Sequence, residues 1–158
     1  MWNVAVYLML LVATCLYAGS RGGAPERIAT AIILGAVALT YVAAKQWRWA
    51  FTSRETGILA VDIVMLVAVV LLAMRADRYW PIWMAAFLGL GIELQFVMWA
   101  APERHVEIYR VLHFWNAYPT LLLLAIGTWR HRTRLAQNGA DPSWSNFSRL
   151  PAAAQPAS

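Results

Sequence analysis

Cysteine, histidine and charge are all scarce in this chain. It has one cysteine, Cys15, and three histidines among 158 residues, and only 13 % of its residues are charged. A single cysteine excludes an intramolecular disulfide, a Cys-x-x-Cys redox pair and any all-cysteine metal site, which leaves Cys15 as an inert member of an apolar run. Only His113 lies inside an apolar run, while His105 and His131 fall in boundary segments, so a transmembrane haem with two axial histidines is excluded. No P-loop, Gly-x-Ser-x-Gly or His-Glu-x-x-His pattern occurs, and the loop serines, such as Ser20 and Ser53, have no partner base in the sequence. No cofactor is expected, and independent catalysis is not expected.

What the chain has in abundance is apolar surface. Sixty-one per cent of its residues are hydrophobic and its mean hydropathy is +0.53. A soluble protein of this size could not bury so much, and a bilayer is the solvent that removes the difficulty. Nine tryptophans, most of them at the edges of apolar runs, suit the headgroup region, where an amphipathic ring is favoured. The net charge of +5 comes from Lys and Arg scattered through short loops rather than gathered on one face. That pattern fits retention beside anionic lipid, not nucleic-acid binding.

The runs define an all-α integral membrane bundle of five spans, at about residues 2–18, 28–44, 57–74, 81–101 and 108–129. The first lacks the basic leader of a secretory signal and is expected to be retained, although Ala18-Gly19-Ser20 could serve as a cleavage site. Gly22-Gly23-Ala24-Pro25-Glu26 reads as a turn, and Pro25 and Pro81 stand where helices can start. The very short segment between the third and fourth spans predicts an antiparallel hairpin. Val111 to Trp129 is the clearest span, closed by Arg130-His131-Arg132-Thr133-Arg134. The membrane domain is thus expected over 1–134, followed by a flexible cytoplasmic tail over 135–158. With the carboxyl end inside, eight Lys and Arg side chains lie on the cytoplasmic side and five outside. This bias predicts an amino end outside and a carboxyl end in the cytoplasm.

Polar residues within the spans are the candidate site. Asp62, Glu93 and Asn116 lie at similar depth, each roughly 8 to 12 Å below one boundary at 1.5 Å per residue. His113 is a turn shallower, and Tyr109, His113, Asn116 and Thr120 form one stripe of the fifth span. Ala85, Gly89 and Glu93, spaced by four, predict a close helix contact that turns Glu93 toward a neighbour. The same reading applies more weakly to Ala31, Gly35 and Leu39. Asp62, Glu93, His113 and Asn116 are then either a hydrogen-bonded knot that fixes the bundle or a proton or ion relay. A metal site of Asp62, Glu93 and His113 has no spacing motif behind it, so no metal is expected.

At Arg21 to Arg27, Gly57 to Asp62, Asp77 to Trp83, and Tyr118-Pro119 through Gly127-Thr128-Trp129-Arg130, the chain resembles a group of small multi-span bacterial inner-membrane proteins to which no activity is assigned. The resemblance covers most of residues 20–132. It implies a helical membrane protein in which Asp62, Trp80, Pro81 and Pro119 carry structural weight. Where such relatives have a histidine on the fourth span, this chain has Gln95. The function expected is that of a non-enzymatic accessory, scaffold or sensing subunit, with the bilayer and a membrane protein or a second copy as partners. The alternative is a proton- or ion-coupled transporter or channel using Asp62, Glu93 and His113.

Overall fold

The computed structural model describes residues 2–46, 54–100, 106–139, 141 and 144. Among them are five helices: α1 (Trp2–Arg21), α2 (Ala24–Gln46), α3 (Arg54–Arg75), α4 (Trp80–Ala100) and α5 (Val106–Asn138). Glycine and proline set the visible boundaries. Gly22 and Gly23 separate α1 from α2, and Pro25 and Pro81 occupy the second positions of α2 and α4, where a missing N–H costs no helical bond. Gly139, at φ 69°, ends α5 in the left-handed conformation that only glycine adopts readily, its N–H bonded to the Leu135 carbonyl at 3.0 Å.

Each helix packs on the next and α5 returns to α1, so the five close into a ring, with α2 also touching α5 across it. The hairpin of the third and fourth spans is therefore present as α3 and α4. All five helices feed one core: Leu11, Cys15 and Ala18 from α1, Ala29 and Ile33 from α2, Val69 and Leu72 from α3, Trp80 and Met84 from α4, and Leu121 and Leu124 from α5. The spacings of three and four residues are those of one helix face. The opposite faces are apolar too, with Met9, Leu16, Val64, Leu122 and Trp129 exposed. An apolar outside around an apolar core is what a lipid solvent allows and water does not.

Five spanning helices were the expectation, and among the described residues three helices are long and apolar enough to cross a membrane, within Ala24–Val42, Gly57–Arg75 and Trp80–Val97. The first helix offers a shorter apolar stretch, Ala5–Arg21. In α5 the apolar residues are diluted by Glu107, Arg110, Asn116, Pro119 and the closing basic cluster. The last helix runs past the expected end of the membrane domain. The chain does not leave the bundle at Arg134: α5 continues to Asn138, and Asp141 comes back to it with a side chain only 4 % exposed. The left-handed turn at Gly139 redirects the backbone. Residues 145–158, expected to be flexible, lie outside the described residues.

Glycine packing is also not where spacing placed it. A side chain at Gly89 would meet nothing within 4 Å, and the same holds for Gly35. Ala31, Gly35 and Leu39 all lie on an exposed face of α2. The close approach lies instead at Gly127, where a Cβ would come within 2.8 Å of the Trp80 indole. We therefore expect Gly127→Ala to lower stability by about 1–3 kcal/mol through overpacking, while Gly89→Ala is neutral or slightly stabilising. Thermal unfolding of the two variants in detergent, side by side, checks this.

A buried ion network at the end of the bundle

Three chain segments meet where α1 gives way to α2, α3 gives way to α4, and α5 ends. Glu26, in the first turn of α2, is fully buried. Its Oε1 accepts from the Trp80 indole N–H at 3.2 Å and lies 3.2 Å from Arg78 Nη1. Arg78 stands in the turn before α4 with a side chain 4 % exposed, and its Nη2 donates to Asp141 Oδ2 at 2.6 Å. His131 Nδ1 lies 2.7 Å from the same oxygen, and Arg134 Nη1 lies 3.8 Å from Asp141 Oδ1. Two carboxylates thus hold one guanidinium between them.

Chemistry decides the histidine's tautomer. A carboxylate can only accept, so His131 Nδ1 carries the hydrogen that bonds Asp141. Its 3.1 Å approach to Arg78 Nη2 is then a meeting of two donors at a shared acceptor. The imidazole edge with Nε2 faces Gly23 and Glu26: a Cβ on Gly23 would sit 3.2 Å from Nε2 and 3.1 Å from Glu26 Oε2. A side chain at Gly23 would therefore press on His131 and Glu26, and at Gly22 beside it a Cβ would come to 2.4 Å from the Ala18 carbonyl oxygen. Among the described residues Glu26 Oε2 and Arg78 Nε have no hydrogen-bond partner.

Burial favours the neutral acid at Asp141, but the hydrogen bonds from His131 and Arg78 and the positive charge of Arg78 outweigh it and hold the carboxyl below its usual range. A lowered pKa means that the docking contribution is complete above the ordinary value near 3.9 and is lost as pH falls through the lower, folded value.

Of these residues only Trp80 was given weight, through the resemblance, and Glu26, Arg78, His131, Arg134 and Asp141 were not singled out as a site. Glu26 reads as a turn residue, Arg78 as a loop charge beside lipid and His131 as a boundary residue. The signal was present in α5: Thr120, Leu121, Leu124, Gly127, Thr128 and His131 are all buried, at steps of one helix face that runs out of the core into the network.

The expected intramembrane cluster is distributed differently. Asn116 does meet α4, where its amide donates to the Phe87 carbonyl at 2.6 Å and lies 2.9 Å from a Cβ built on Gly91. Glu93 is exposed. Two residues beyond Gly91 it is turned about 200° away from α5, at 100° per residue. The Ala85, Gly89, Glu93 stripe also rotates by about 40° per step, which carries it from Ala85, packed on the core, to an exposed end. Asp62 is half-buried on α3. Tyr7 of α1 stacks edge-on against Tyr118 of α5, with ring centroids 5.7 Å apart. His113 falls on α5, and its side chain lies outside the described residues. Gln95 Oε1 is buried and has no hydrogen-bond partner among the described residues. Among the described residues no three His, Cys, Asp or Glu side chains form a metal-holding group.

No family model matches the chain, and neither a curated protein nor a solved structure does.

The ion network yields two expected outcomes. Arg78→Met leaves two buried carboxylates facing each other and should cost about 3–5 kcal/mol, whereas Glu26→Gln keeps an acceptor for Trp80 and should cost less. Denaturant or thermal unfolding ranks the two. Protection of the backbone around Asp141 from hydrogen exchange should persist from neutral pH down through the ordinary carboxylate range and disappear only below it. In Asp141→Asn that acid transition should be absent.

Proposed function

We propose that the chain is a five-span protein of the bacterial inner membrane, with its amino end outside and its carboxyl end in the cytoplasm, acting as a non-enzymatic accessory or sensing subunit. Three helices meet the requirements of a span outright. The other two share their bilayer through the ring: α1 has 20 residues and α5 has 33, about 30 and 50 Å of helix. The end that carries the ion network also carries exposed Tyr79, Trp83 and Trp129, with Arg21, Arg27, Arg130 and Arg132 exposed beside them. Aromatic rings and guanidinium groups together suit an anionic cytoplasmic leaflet.

The observation that carries the sensing role is the network's connectivity. Arg78 joins α2 to the segment that follows α5, so helix packing and tail position are linked through one side chain. A charge cluster that ties separate segments is the kind of element that a partner or a change of charge can bias. The transporter reading needs Asp62, Glu93 and His113 to act together, and the outward position of Glu93 gives it no support.

Purification in mild detergent is the test. A stoichiometric membrane-protein partner is expected; a partner-free homo-oligomer that conducts protons in vesicles would overturn the accessory reading. Orientation is checked separately. A reporter active only outside the cytoplasm should work when fused after Trp49 or Glu103 and fail after Arg134.

A further inference from the structure

The contacts at Asp141 are those of a ligand in a receptor. Both of its carboxylate oxygens are addressed: Oδ2 by Arg78 Nη2 at 2.6 Å and His131 Nδ1 at 2.7 Å, Oδ1 by Arg134 Nη1 at 3.8 Å. The receptor side chains come from the turn before α4 and from α5, and the carboxylate arrives from beyond the helix, past the single left-handed Gly139. Three residues later, Trp144 forms an isolated antiparallel bridge with Ala76, in the same turn as Arg78. The segment is therefore held at two points, by its acid at Asp141 and by one backbone bridge at Trp144. Glu26 neutralises part of Arg78, but with Asp141 removed the site still holds Arg78, His131 and Arg134 against one carboxylate.

We propose that Arg78, His131 and Arg134, with the backbone at Ala76, form a receptor for a peptide carboxylate presented in an Asp-x-x-Trp segment, that the chain's own tail fills it as a tethered ligand, and that an acidic segment of a partner protein binds there when the tail is displaced. The tether sets the terms of exchange. A ligand joined to the end of α5 through two residues, Gly139 and Ala140, competes at an effective concentration on the order of millimolar, so a partner segment must add contacts of its own. Exposed Arg130 and Arg132, on the same end of α5, offer them to a peptide with further acidic residues. That the displacing segment belongs to a protein partner rests on the accessory reading above; occupancy of the site by a peptide does not.

The test uses the full-length chain in nanodiscs and a synthetic peptide of residues 139–146, Gly-Ala-Asp-Pro-Ser-Trp-Ser-Asn. The Asp141→Ala chain, shown to be folded by its helical circular dichroism, should bind the peptide, with the native chain binding at least tenfold more weakly because its site is filled. The same peptide with Asn in place of Asp should bind the variant about tenfold more weakly or worse, since hydrogen bonds to a charged acceptor are the strong ones. Asp141→Asn serves as a second receptor if the alanine variant is poorly folded. No binding to a folded variant, equal binding of the Asn peptide, or equal binding to the native chain would each overturn the proposal. Peptide binding without any co-purifying partner would keep the receptor and remove the accessory reading, and a partner without peptide binding would do the reverse.

Discussion

Arg78 is the side chain on which the described end of the molecule depends. Its guanidinium lies between the carboxylate of Glu26, 52 residues before it, and that of Asp141, 63 residues after it. The cost of taking three charges out of water is met only because each is paired and because Trp80 and His131 supply further donors. Such a network adds little to stability compared with a well-packed apolar substitute. What it adds is a requirement: the three segments must arrive together or leave buried charges unpaired. That requirement makes the end of the bundle all-or-none in a way that the apolar core alone does not.

Glycine makes the network reachable. Gly22 and Gly23 let the start of α2 approach α1 and α5 so closely that a side chain would strike Ala18 and Glu26 at the first and press on Glu26 and His131 at the second. Gly127 accepts the Trp80 indole, which places its N–H on Glu26. Pro25 and Pro81, both fully buried, stiffen the first turns from which Glu26 and Trp80 project. Backbone geometry and electrostatics are therefore one design here, since a bulkier residue at any of these glycines would separate the charges as well as disturb the packing.

How much of this could be read from the chain follows from what sequence periodicity measures. Apolar runs report burial in lipid and in protein alike, so the five helices and the α3–α4 hairpin were legible. They do not report which face looks inward, and that is why Glu93, on a stripe that rotates outward, was assigned to the interior while Gly91 was passed over. The ion network was invisible for a different reason. Glu26, Arg78 and Asp141 sit in segments rich in glycine, proline and charge, where a paired residue and a solvated one look the same until the turn geometry is known. Trp80 and Gly127 were noticed through the resemblance, without the contact between them. His131 had the strongest local signal, as the continuation of the buried α5 stripe, but its basic neighbours Arg130 and Arg132 gave it the look of a headgroup residue.

The central claim is that Asp141 and Arg78 are energetically coupled across 63 residues rather than merely adjacent. A double-mutant cycle measures this directly, with Arg78→Met, Asp141→Asn and the double variant compared by equilibrium unfolding in one detergent. The account predicts that the double variant is more stable than the sum of the single effects implies, by about 1–3 kcal/mol, because losing the second partner removes a charge that the first loss had left unpaired. Additivity within about 0.5 kcal/mol would contradict it and would mean that the tail and the bundle do not share this interaction in solution.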